Sequence, residues 1–100
     1  MGTYYKRTNP NYLEIGTTRT ITLTESTATQ VFLDTGYNMM TIVPLGPSDL
    51  VYGDSSILVS SAGLLYYSQA KTFDGLSDNF SFYARANSYQ CVMAIIEYRN

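Results

Sequence analysis

Polar and apolar residues alternate cleanly from Thr17 onward. In Thr18-Arg19-Thr20-Ile21-Thr22-Leu23-Thr24, Ile21 and Leu23 fall on one side of an extended chain, and Thr20, Thr22 and Thr24 on the other. Successive side chains of a strand point to opposite faces, so this period of two predicts a strand with one wet face. Glu25-Ser26-Thr27 makes a polar turn. A second strand is expected from Gln30 to Asp34 around Val31 and Leu33, ended by Thr35-Gly36. A third runs from Asn38 to Val43 and carries Met40 and Ile42. Pro44 and Gly46-Pro47 close it at a sheet edge, because proline has no N–H to give a ladder.

The middle of the chain is punctuated at short intervals. Leu50-Val51-Tyr52 stops at Gly53-Asp54-Ser55, Ile57-Leu58-Val59 stops at Ser60-Ser61-Ala62-Gly63, and a strand from Leu64 to Tyr67 follows. Residues 56–70 also fit an amphipathic helix, but Gly63 and the serines favour strand. After Asp74-Gly75, Phe80, Phe82 and Ala84 alternate with Ser81, Tyr83 and Arg85. Asn87-Ser88 turns the chain into a last strand, Tyr89 to Tyr98, in which Val92 to Ile96 are all apolar. That marks a central or sandwiched strand. Seven or eight short strands at roughly ten-residue spacing predict one all-β domain over residues 17–100, an antiparallel sandwich or barrel.

Residues 1–16 have no sustained period, and Pro10 breaks any helix, so they are expected to form an extended arm. The arm concentrates Tyr4, Tyr5, Lys6, Arg7, Tyr12 and Leu13. Such a segment is either loose or tied down by a neighbour. Three tyrosines within it favour docking on the domain or on another subunit.

Composition sharpens this picture. Twelve Thr, ten Ser and ten Tyr stand against no His and no Trp, with 14% charged residues and a net charge of −2. Thr and Tyr suit a pleated, half-buried surface. One hundred residues make one core but leave little for a deep, walled cavity. The cluster Lys6, Arg7 and Arg19 is too sparse for a nucleic-acid footprint, and no apolar run approaches a membrane span. The opening residues lack the apolar stretch of a secretory signal.

Candidate chemistry is thin. Without His, Ser and Cys lack their usual base, and a tetrahedral zinc site lacks ligands. Cys91, the only cysteine, sits in an apolar run as a small buried residue and cannot form an internal disulfide. Asp49 with Asp54, and Asp74 with Asp78, are carboxylate pairs of the kind from which an acid/base or calcium site is built. Here they read as turn aspartates that hydrogen-bond their own backbone. No Gly-rich phosphate loop occurs. The expectation is therefore a non-enzyme with no cofactor and no metal. Its informative polar residues are tyrosines, which combine an apolar ring with a hydrogen-bonding tip. Tyr66 and Tyr67 join the arm residues as candidate partner contacts, with at least one ring outward.

From Thr41 to Tyr98 a further order is present. A strand precedes Pro44-Leu45-Gly46-Pro47, then come Asp49-Leu50-Val51-Tyr52-Gly53-Asp54-Ser55-Ser56, Ser60-Ser61-Ala62-Gly63-Leu64-Leu65 and Phe82-Tyr83-Ala84-Arg85-Ala86. The terminal strand ends at Glu97-Tyr98. This order resembles the small β-sandwich accessory proteins of tailed-bacteriophage virions. It departs from them where Ile57-Leu58-Val59 runs on before the glycine turn, and residues 1–40 are not covered. The resemblance implies a decoration or cement protein on a capsid, in repeated copies (a dimer or trimer in a symmetric assembly). The partner would be the major capsid protein or another virion protein, and assembly would take place in the bacterial cytoplasm. A neck, tail or fibre component, or a glycan- or protein-binding module, is the alternative.

Overall fold

The computed structural model describes residues 14–55 and 63–99, and all regular structure among them is strand. The eight strands are β1 (Glu14–Thr24), β2 (Thr29–Phe32), β3 (Met39–Pro47), β4 (Leu50–Gly53), β5 (Gly63–Leu65), β6 (Lys71–Phe73), β7 (Ser81–Ala86) and β8 (Gln90–Arg99). β1 pairs with β8, β2 with β7, β3 with β6 and β4 with β5, all antiparallel. The chain is thus one long antiparallel ribbon, folded back near β4 and β5. Winding the ribbon adds two pairings, β3 with β8 and β4 with β7. Two four-stranded sheets result, in the orders β1-β8-β3-β6 and β2-β7-β4-β5. Eight strands in two such sheets form a jelly roll, also called a double-stranded β-helix.

The core lies between the sheets and follows the alternation. Leu23, Met40, Ile42, Cys91, Met93 and Ile95 come from one sheet, and Val31, Leu50, Leu65, Phe82, Ala84 and Ala86 from the other. Tyr52, Phe73, Phe80 and Phe82 fill one half with rings whose centroids lie 5.5–6.0 Å apart. That spacing suits tilted and edge-to-face contact.

Several boundaries differ from the sequence reading. β1 opens at Glu14, inside the expected arm, because Glu14 and Ile15 already face Arg99 and Tyr98 of β8. β3 does not stop at Pro44 but runs to Pro47. β6 covers β3 only from Met40 to Ile42, so Pro44 sits where that side of β3 has no strand beside it. The missing N–H is harmless there. β8 is central, between β1 and β3. Only one of its faces is core, however: Cys91, Met93 and Ile95 are buried, whereas Val92, Ala94 and Ile96 are half-buried on the outside. β5 ends at Leu65, so Tyr66 and Tyr67 belong to a turn rather than to a strand. Ile57-Leu58-Val59 lies outside the described residues, as do residues 1–13.

Candidate functional site

The winding gathers four connections at one end of the sandwich: residues 25–28, 48–49, 66–70 and 87–89. Backbone bonds tie them to one another. Glu25 N–H donates to the Tyr89 carbonyl at 3.2 Å, Ser48 N–H to Gln90 at 3.1 Å and Asn87 N–H to Asp49 at 2.8 Å. Ser68 N–H reaches the Pro44 carbonyl at 2.9 Å. Asp49 then pins the 66–70 turn, its Oδ1 accepting the Tyr67 N–H at 2.8 Å. The sequence suggested an aspartate bonded to its own turn, whereas the backbone that Asp49 holds here is eighteen positions away. Asp74 holds its own turn through the Gly75 N–H at 2.7 Å.

Four large apolar side chains stand in solvent at this end: Leu45, Tyr66, Tyr67 and Tyr89, between 50% and 75% exposed. Backbone geometry bears on the three tyrosines. Gln69 closes the turn under Tyr66, its N–H donating to the Tyr66 carbonyl at 3.0 Å while its Oε1 accepts the Tyr66 N–H at 3.1 Å. Ser68 has φ +66° and Tyr89 φ +50°. Left-handed backbone is rare for residues with a Cβ and costs on the order of 1 kcal/mol. Among the described residues, both non-glycine residues with such backbone lie at this one end. Gly46 (φ +87°) lets the Tyr67 ring lie close against the backbone, since a Cβ there would stand 3.2 Å from the ring. Tyr66 and Tyr67 therefore both face outward, where an extended strand would have exposed alternate rings. Sequence reasoning missed two of the four: Leu45, in the segment read as closing β3, and Tyr89, which the alternation pattern assigns to the last strand. The turn residues Asn87-Ser88 just before it were the available signal.

Tyr4, Tyr5, Lys6, Arg7, Tyr12 and Leu13 lie outside the described residues. The chain enters the sheet at Glu14, at the far end from Tyr66, where Arg99 Nη2 donates to Glu14 Oε1 at 2.7 Å.

The far end also holds a buried carboxylate. Glu97 is 0% exposed, and Arg19 Nη1 donates to its Oε1 at 2.7 Å while Asp34 N–H donates to its Oε2 at 2.8 Å. Arg19 Nη2 donates to the Phe32 carbonyl at 2.8 Å, and its Nη1 stands 3.6 Å from Asp34 Oδ2. Each charge has its partner, so the group clamps β1 and β8 to the chain leaving β2. Among the described residues no three His, Cys, Asp or Glu side chains cluster to hold a metal, and no pocket is enclosed. Burial pushes the Cys91 thiol up, opposed in part by its hydrogen bond with the Gly46 backbone and helped by the Asp49 charge.

No protein-family model and no curated sequence matches the chain. In shape it is similar to a de novo designed double-stranded β-helix solved by solution NMR. The TM-score is 0.56 at 12% identity, over 84% of this chain and 100% of that one. The likeness agrees with the winding derived from the strand pairs and speaks to fold alone.

Proposed function

We propose that this protein is a non-catalytic structural subunit of a virion, a decoration or cement protein that docks on the major capsid protein through its aromatic loop end. The observation that carries the reading is the set of exposed side chains, Leu45 near the end of β3, Tyr66 and Tyr67 in one turn and Tyr89 in another, beside connections bonded to one another. Tyrosine anchors of this kind dominate the energetics of protein contacts. Presenting them on pinned loops lowers the ordering cost of binding. Jelly rolls recur in capsid and lectin domains, but a fold hosts many functions. The virion assignment rests on the resemblance of the Thr41–Tyr98 segment. The segment 1–13, with Tyr4, Tyr5, Lys6, Arg7, Tyr12 and Leu13, would supply a second contact in the same assembly.

The test is binding of the purified chain to capsids stripped of accessory proteins, measured by co-sedimentation. Saturable binding at a fixed ratio to the major capsid protein is expected. Tyr66→Ala and Tyr67→Ala should each weaken it about tenfold or more. Tyr89→Asn should also weaken binding while raising thermal stability, by about 0.5–1 kcal/mol, because Asn tolerates the left-handed backbone that Tyr resists. Full binding by a folded triple variant would overturn the reading. Binding that a soluble glycan abolishes would replace it with the lectin alternative.

A further inference from the structure

Three of the four sheet edges are short: β2 has four residues, β5 three and β6 three. Short edges are one way in which sheets avoid pairing with other chains. β1 is the exception, an eleven-residue edge strand that pairs with β8 on one side and with no described strand on the other.

The phase of its ladder is set by the pairing with β8. Thr24 faces Gln90, so Glu25 faces Tyr89, and Glu25 N–H donates to the Tyr89 carbonyl. The carbonyls of Gln90 and Tyr98 serve the opposite side of β8, accepting from Ser48 and Asn38. Hydrogen-bonded and non-hydrogen-bonded pairs alternate along an antiparallel ladder. Leu23, Ile21 and Arg19 therefore bond to β8. Thr24, Thr22, Thr20 and Thr18 turn their N–H and C=O groups to the open edge, and their side chains are exposed on the outer face.

We propose that this edge pairs with the same edge of a second copy, antiparallel, about a two-fold axis through Ile21. In that register Thr20 meets Thr22 and Thr18 meets Thr24 of the other chain, so every open-edge N–H and C=O from Thr18 to Thr24 gains a partner. Thr–Thr cross-strand pairs are favourable ones. Ile21 meets Ile21 on the inner face, and Arg19 meets Leu23, so no like charges are opposed. Arg19 is in any case already engaged by Glu97 and the Phe32 carbonyl. Between Thr18 and Thr24 there is no Lys, Pro or bulge to blunt the edge; the register shift lies before Thr18. A second copy is favoured over an unrelated strand because four threonines in a row offer a guest no side-chain selectivity, whereas two-fold repetition supplies register and specificity together. The two sheets β1-β8-β3-β6 would join into one of eight strands. The inference rests on the sheet edge alone. A chain that dimerises but ignores capsids would sink the previous proposal and leave this one standing.

The experiment is sedimentation of the full chain across micromolar concentrations. The expected particle has twice the 11.2 kDa chain mass. Thr22→Pro removes only an open-edge N–H, so the variant should keep its strand circular dichroism and run as a monomer. Thr20→Lys combined with Thr22→Lys should do the same through charge repulsion. Ile21→Cys should form a disulfide-linked dimer under mild oxidation, since non-hydrogen-bonded partners bring Cα atoms within disulfide range. A monomer at every concentration would overturn the proposal. So would a dimer that survives the edge variants, or amides of Thr18 to Thr24 protected from exchange in a monomer, which would assign the edge to the chain's own segment 1–13.

Discussion

At the scale of single residues, the least replaceable interaction is the one between Arg19 and Glu97. A carboxylate with no solvent contact is tolerable only while its donors are present. Removing Arg19 leaves the charge buried with one backbone N–H. Arg19→Met should therefore lower the unfolding free energy by about 3 kcal/mol in urea titration. Adding Glu97→Gln to that variant should restore roughly half of the loss, because the neutral amide still accepts from Asp34 N–H. A double variant no better than Arg19→Met alone would show that the buried charge was not the cause. None of this was legible beforehand. Arg19 is one polar residue in a threonine-rich strand, and Glu97 is one acid near the chain end, 78 positions away.

At the scale of elements, β8 tests how far alternation can be trusted. Its run of apolar residues from Val92 to Ile96 hides the period of two, and only the sheet packing tells its faces apart. Ile95 sits in the core and Ile96 on the half-buried outer face. Ile95→Ala should cost about 3–4 kcal/mol through lost burial and a residual cavity. Ile96→Ala should cost about 1 kcal/mol, with denaturant midpoints giving both values. Equal losses would mean that the outer face is covered in solution. Elsewhere the pattern served well: β1, β2 and β7 fall where Ile21 and Leu23, Val31, and Phe82 with Ala84 placed them. β6 was invisible, because Lys71-Thr72-Phe73 has no period and little apolar content. It is a strand because β3 offers it an edge, and the Thr41 and Thr72 hydroxyls bond across the pair at 2.8 Å.

At the scale of the whole molecule, Cys91 reports on the fold as a unit. It lies on the inner face of the central strand, and burial favours its neutral thiol. A thiol reagent at pH 8 should therefore modify it only as fast as the chain unfolds globally, with reaction immediate in denaturant. Fast modification of the native chain would mean that the β8 region opens locally. The sign of the pH effect follows from the raised value. The neutral thiol stabilises the fold fully below the unfolded value near 9.0, and that contribution is lost as pH climbs through the folded value. A Cys91→Ala variant should lack this share of the alkaline loss.

What the sequence determined by itself was local. The period of two marks the strands, glycine, proline and asparagine mark most of the breaks, and the neighbouring tyrosines at 66 and 67 mark a surface. Each follows from the geometry of a few adjacent residues. The tertiary structure decided which strands pair, and with that whether a sandwich or a barrel closes. It also decided which isoleucine of β8 is core, that Glu97 is buried, and that Leu45, Tyr66, Tyr67 and Tyr89 share one end. These are choices among partners far apart in the chain, and a backbone hydrogen bond carries no label naming its partner. Only the simultaneous burial of both sheets selects one winding of the ribbon. The same winding left β1 with an open edge, a property that no stretch of the sequence holds alone.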